Sequence, residues 1–291
     1  MSVKIITDSA SDIPEHIAIK HDIEVIPLIV NLDNKEYLDG ETIQPKEVYQ
    51  AIRSGKMPSS TQIPPKAFEK VFENYAKKDR ECIYIAFSSK LSGTCQTGKM
   101  VAEKINEKYK KKLIYVHDTF CGAIGQGLIV KEAAKLAQND IAINKILDVI
   151  SFKSKHMEHI FTIDDLNHLH KGGRLSQGEA FLGSILKIKP ILHVQKGEMI
   201  PFEKVRGKTK ALKRIVEIME ERGSQIKDQT IGISHADDLK TALRLKEMIK
   251  EKFGCEKFLV NIVGGVLSCH IGLGGVAVFF LNEKPSGNIG V

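Results

Sequence analysis

Tryptophan is absent from the 291 residues, and aromatic residues make up only 6% of them. Base-stacking platforms of the kind that hold single-stranded nucleic acid therefore have no material to be built from. A CxxC pair is also missing. The five cysteines, Cys82, Cys95, Cys121, Cys255 and Cys269, are odd in number and sit mostly inside apolar runs. That pattern excludes a disulfide framework or zinc ribbon and predicts buried thiols in a reducing compartment. No GxSxG elbow and no GxGxxG occurs, and no residues form a Ser-His-Asp set, so no catalytic constellation is expected. No apolar signal segment follows the opening MSVKIITDSASD, and a cytoplasmic protein is expected.

Charge is missing from one stretch, Phe258 to Asn282. A membrane-spanning helix needs about 20 apolar residues. Here Asn261, Ser268, His270 and five glycines interrupt the run, so two buried strands joined by a Gly-rich loop are expected instead.

What is present is an ordinary globular balance, 42% apolar and 27% charged. The length suits two domains. Lys and Arg number 43 against 36 Asp and Glu, a net charge of +7 spread along the chain. Such an excess is compatible with an anionic ligand or partner but does not single out nucleic acid.

The recurring unit is a short apolar strand, a polar tip and a helix. Val3–Ile6, Ile83–Phe87, Leu113–Val116 and Thr230–Ile233 each run into polar residues. Continuous apolar strands alternating with helices predict an α/β fold with a mostly parallel sheet in the first half. Ligands in such sheets bind beyond the carboxyl ends of the strands. Helices are expected over Lys46–Arg53, Ala67–Lys77, Gly98–Lys110, Gly127–Ala137, Ile143–Lys153, Lys208–Glu221 and Asp237–Lys252. Pro190–Val194 and Met199–Val205, flanking Lys196-Gly197-Glu198, read as a hairpin in a mixed second half. The boundary is placed near residue 155, giving domains 1–155 and 156–291.

Candidate chemistry sits at the tips. Ser88–Gln96 follows a strand and opens a helix; Ser92 and Thr94 offer hydroxyls, and Gly93 permits close backbone approach. This is either a seat for a small anion or an ordinary Ser/Thr helix cap. Pro58–Gln62, with Ser59, Ser60 and Thr61, is a second hydroxyl cluster, either a solvated linker or part of the same seat. Gly93–Met100 approaches a P-loop and keeps open a nucleotide-binding phosphotransferase, although Met100 replaces the hydroxyl that would hold magnesium. Lys171–Ser176 is a Gly-rich loop that could turn Arg174 toward a cleft. His156, His159, His168 and His170 lack the spacing of a metal site and are expected on a solvated polar segment. His270, alone in the uncharged stretch, is either a core histidine or a ligand contact.

Taken in order, these motifs resemble the DegV family across essentially the whole chain. They are Ile5–Asp12, Pro58–Gln62, Leu91–Gln96, Gly172–Ser176, Lys189-Pro190, Val205–Lys208 with Lys210-Ala211, and His270–Gly274. Leu273 stands where the family usually has proline. The resemblance implies a two-domain α/β protein that buries one long-chain fatty acid, palmitate- or oleate-like, without a cofactor or metal. It implies carboxylate contacts from Thr61 and Ser92, supported by Ser60, Gly93 and Thr94, with His270 orienting the head group. Arg174 and Arg206 are weaker candidates, Arg206 for a partner-facing surface. It further implies a separate ATP-binding fatty acid kinase subunit that phosphorylates the carboxylate. The acyl phosphate then passes to an acyltransferase of phospholipid synthesis.

Overall fold

A computed structural model describes residues 2–176 and 188–284. The first half contains β1 (Lys4–Asp8), α1 (Glu15–Lys20), β2 (Glu24–Ile26), β3 (Ile29–Leu32), β4 (Lys35–Leu38), α2 (Pro45–Arg53) and β5 (Ser59–Thr61). It continues with α3 (Pro65–Ala76), β6 (Cys82–Ala86), α4 (Thr94–Tyr109), β7 (Ile114–Asp118), α5 (Ala123–Gln138) and α6 (Ile143–His156). Then follow β8 (Met157–Thr162), α7 (Asn167–Lys171), β9 (Ile188–Gln195), β10 (Glu198–Arg206) and α8 (Lys208–Arg222). The chain closes through β11 (Thr230–His235), α9 (Leu239–Phe253), β12 (Lys257–Ile262), α10 (Gly265–Ile271) and β13 (Val276–Leu281).

The expected parallel sheet is present, in the order β2-β1-β6-β7. β1 and β6 are buried along their whole length, which is why they read as unbroken apolar runs. A six-stranded mixed sheet, β10-β9-β8-β13-β11-β12, is antiparallel except for the β11–β12 pair. Its β9–β10 hairpin turns at Lys196 and Gly197, both at positive φ, the conformation a two-residue hairpin turn requires.

Helix α5 lies between the sheets. Its Ile124, Ile129 and Val130 share one core with Ile5 and Ile83 of the parallel sheet and with Leu259 and Phe279 of the mixed one. Close approach needs glycine: a methyl carbon at Gly125 would stand 2.6 Å from His159 Nε2 and 2.8 Å from Phe279. All five cysteines are buried thiols, as expected.

Three elements differ from expectation. The uncharged stretch forms strand, helix, strand, with α10 inserted between β12 and β13. Its charge-free sequence reflects burial, and short buried helices and strands share that signature. Carboxylates hold its first turn: Gly264 N donates to Asp12 Oδ1 at 2.9 Å and Gly265 N to Asp39 Oδ1 at 3.0 Å. The Pro58–Gln62 cluster contains β5, an edge strand paired with β3 in a small β4-β3-β5 sheet. Helix α4 begins at Thr94, a full turn before the expected Gly98.

Candidate functional site

Between the sheets lies a cavity of about 260 Å³. Four separate elements build its polar end. β5 supplies Ser60 and Thr61, the turn into α4 supplies Ser92 and Gly93, α10 supplies His270, and the loop after α7 supplies Arg174. The remaining wall is mostly apolar, with Leu28, Phe87, Phe161, Met199, Leu267 and Phe279 among its residues.

The polar groups are tied to one another. Ser60 Oγ and His270 Nε2 share a 2.8 Å hydrogen bond, although 210 positions separate them. Asn31 Nδ2 donates to Thr61 Oγ1 at 2.7 Å, leaving the threonine hydroxyl hydrogen free to donate. Thr94 does not line the cavity. It is fully buried behind Ser92, with Ser92 Oγ 2.9 Å from Thr94 Oγ1 and 3.2 Å from Thr94 N. Its role is to fix the serine rotamer.

Gly93 brings α4 against Gln62: an added methyl carbon would sit 2.0 Å from Gln62 Oε1. Gln62 Nε2 in turn donates to Thr97 Oγ1 at 3.1 Å, so β5 and α4 are stitched together beside the seat. Arg174 donates from Nε to the Leu91 carbonyl at 3.1 Å and from Nη1 to the Gly172 carbonyl. Its guanidinium therefore closes over the polar end, as the Gly-Gly loop suggests. Arg206 is exposed at the end of β10 and lies off the cavity wall.

Burial pushes the His270 imidazole down to about 4, and the nearby Arg174 and His168 act in the same direction. The ring is neutral at neutral pH. Its Nδ1 has no hydrogen-bond partner among the described residues. A methyl carbon at Gly172 would lie 2.4 Å from that atom. Ser60 and His270 thus form a serine–histidine contact without a third group to orient the imidazole, and with a base too weak for general-base work near neutrality. The seat is suited to hold an anion.

Two expectations fail on geometry. Because α4 starts at Thr94, Gly98 and Lys99 lie within the helix. Gly98 packs against the rings of Tyr84 and Phe68. A P-loop keeps its backbone open until the Gly-Lys pair, so this segment cannot cradle a triphosphate, and the phosphotransferase reading falls. The histidine segment is not uniformly solvated either. His159 is 3% exposed and lines the cavity from β8 beside Phe161, on the same face two residues on. The alternation along MEHIFT carries that signal. Ser234, in the polar tip that follows Thr230–Ile233, is buried on β11 and also lines the wall.

Comparison with known proteins places this geometry. The DegV family model, described as "Uncharacterised protein, DegV family", matches residues 2–283. A DegV domain-containing protein of Clostridium perfringens is 39% identical over 282 residues, covering 96% of this chain and 97% of the relative. Among solved structures, a fatty-acid-binding DegV family protein from Thermus thermophilus superposes with a TM-score of 0.87 at 27% identity. That match covers 96% of this chain and 99% of the other. DegV of Bacillus subtilis, described as a fatty acid binding protein, gives a TM-score of 0.84 at 29% identity, covering 96% and 98%. On sequence and on fold alike, the chain belongs to the DegV family.

Proposed function

We propose that this protein binds one long-chain fatty acid, palmitate- or oleate-like, with its carboxylate at the hydroxyl-lined end and its chain along the apolar wall. The observation that carries the reading is the two-ended lining of one cavity. Burying about fourteen methylenes at roughly 0.8 kcal/mol each yields on the order of 11 kcal/mol before association entropy is subtracted. The tail therefore supplies affinity. The hydroxyls supply orientation, because an unpaired buried carboxylate would be costly.

In this reading Thr61 and Ser92 donate to the carboxylate, with Ser60 and Gly93 beside them. Thr94 holds Ser92, and His270 orients Ser60. A binding subunit of this kind needs no nucleophile of its own. Its cytoplasmic role is to present the carboxylate to a separate ATP-binding kinase subunit, with Arg206 on the partner-facing surface. The acyl phosphate then goes to an acyltransferase of phospholipid synthesis.

Mass spectrometry of an organic extract of the protein purified from a bacterial host tests the core of this. A stoichiometric C16–C18 acid is expected. A lipid-free extract together with no uptake of added palmitate or oleate would falsify it.

A further inference from the structure

The cavity wall carries three buried polar side chains, His159, Thr162 and Ser234, each with an atom that has no hydrogen-bond partner among the described residues. Strand β13 lies between β8 and β11, and the register aligns Phe161, Ala277 and Ser234 in one row and His159, Phe279 and Gly232 in the next. Side chains two apart along a strand share a face, so His159 and Ser234 point the same way, into the cavity they both line. Ser234 is fully buried and His159 is 3% exposed. Ser234 Oγ and His159 Nε2 have no hydrogen-bond partner among the described residues.

Their chemistry is defined. His159 Nδ1 lies 3.2 Å from the Met157 carbonyl, an acceptor, so Nδ1 carries the ring hydrogen. Burial lowers the imidazole to about 4 and keeps it neutral. Nε2 is then an acceptor that faces the start of α5 at Gly122 and Gly125, with no hydrogen-bond partner among the described residues. A donor brought in along the cavity satisfies it. Ser234 can either donate or accept.

Both groups lie below the carboxylate seat. The turn after α10 packs Gly272 on His168 and Gly274 on Asp164, so the seat sits off the C-terminal end of β8. His159 is three residues before that end, roughly 10 Å deeper at ~3.3 Å per residue. A saturated chain passing here would leave both polar groups orphaned, each at a cost of about 1–3 kcal/mol. A chain bearing an O–H at this depth can donate it to His159 Nε2 while its oxygen accepts from Ser234 Oγ.

We propose that the cavity selects long-chain acids carrying a hydroxyl part-way along the chain, with His159 and Ser234 as its recognition groups. The inference rests on the fatty-acid reading and specifies its substrate class. Delipidated full-length protein is incubated with an equimolar mixture of stearate and mid-chain hydroxystearate, and the bound acids are extracted and counted by mass spectrometry. Hydroxystearate is expected to be enriched about tenfold, the factor given by one hydrogen bond near 1.4 kcal/mol. Ser234→Ala and His159→Leu are each expected to pull the ratio toward one. Two substitutions at different sites guard against a variant that fails to fold. Equal or weaker retention of hydroxystearate overturns the inference while leaving fatty-acid binding intact, as does an enrichment that survives both substitutions. Retention of neither acid overturns the fatty-acid reading itself.

Discussion

Ser92 and Thr61 are prepared as donors by residues that never face the cavity. Asn31 occupies one acceptor position of Thr61, and Thr94 engages Ser92 through both its hydroxyl and its backbone N–H. A hydrogen bond to a charged group contributes about 1.5–3 kcal/mol net. Ser92→Ala and Thr61→Val should therefore each weaken binding of a fluorescent fatty acid by roughly 10- to 100-fold. The methyl ester of the same acid, which carries no charge, should lose much less on either substitution. Equal losses for acid and ester would mean that these hydroxyls shape the cavity and do not hold the carboxylate. At Gly93 the limit is steric: an added side chain meets the end of the Gln62 side chain, which must swing aside and give up its bond to Thr97, so Gly93→Val should weaken binding of acid and ester alike.

At the scale of elements, α10 is the one whose placement the site depends on most, since it brings His270 to Ser60. It is anchored by carboxylates that burial makes harder to ionise. Burial raises Asp39 to about 6, and Asp12, beside Asp39 and Asp8, is raised well above the ordinary range. An unfolded aspartate titrates near ~4. The folded state thus holds the Asp39 proton more tightly. The stability linked to that proton is complete below about pH 4 and is lost as pH rises through about 6, on the order of 2–3 kcal/mol. Asp39→Asn removes the titration while keeping an acceptor for Gly265 N. Its melting temperature relative to the unsubstituted protein should climb by several degrees between pH 4 and pH 7. A difference that stays flat over that range would show that Asp39 does not carry its proton in the fold.

This element also marks the limit of what the sequence displays. β1 and β6 were legible because strands buried on both faces are continuous apolar runs ending in polar tips. The β9–β10 hairpin was legible from its Lys-Gly turn. α10 was not, because its Gly-Gly start is stabilised by Asp12 and Asp39, more than two hundred residues away in the chain. β3 to β5 are three or four residues long and half exposed, with too few positions to show alternation. At the site, hydroxyl clusters and the lone His270 stood out by residue type. The Ser60–His270 contact could not, because it is made by tertiary packing, and His159 was hidden among three other histidines of different fate.

For the whole molecule, the division we propose at residue 155 follows the two large sheets, but the apolar core ignores it. One continuous cluster joins Ile6, Phe68 and Tyr84 to Phe161, Ile163, Leu192 and Val263. Polar ties cross as well: Tyr49 OH donates to the Val263 carbonyl at 3.1 Å and Asn261 Nδ2 to the Asp12 carbonyl at 2.7 Å. Helix α5 belongs to the first half by sequence, yet it buries one side on each sheet. A fragment of residues 1–155 would expose that second side and lose α10 from beside β3 and β5, so it should not reach a native fold alone. The intact chain, in contrast, should unfold in urea as a single transition, coincident by fluorescence of its tyrosines and by far-ultraviolet circular dichroism. Two separated transitions, or a soluble, cooperatively folded 1–155 fragment, would mean that each half holds its own core. The cavity would then be a cleft between independent bodies instead of a space enclosed by one.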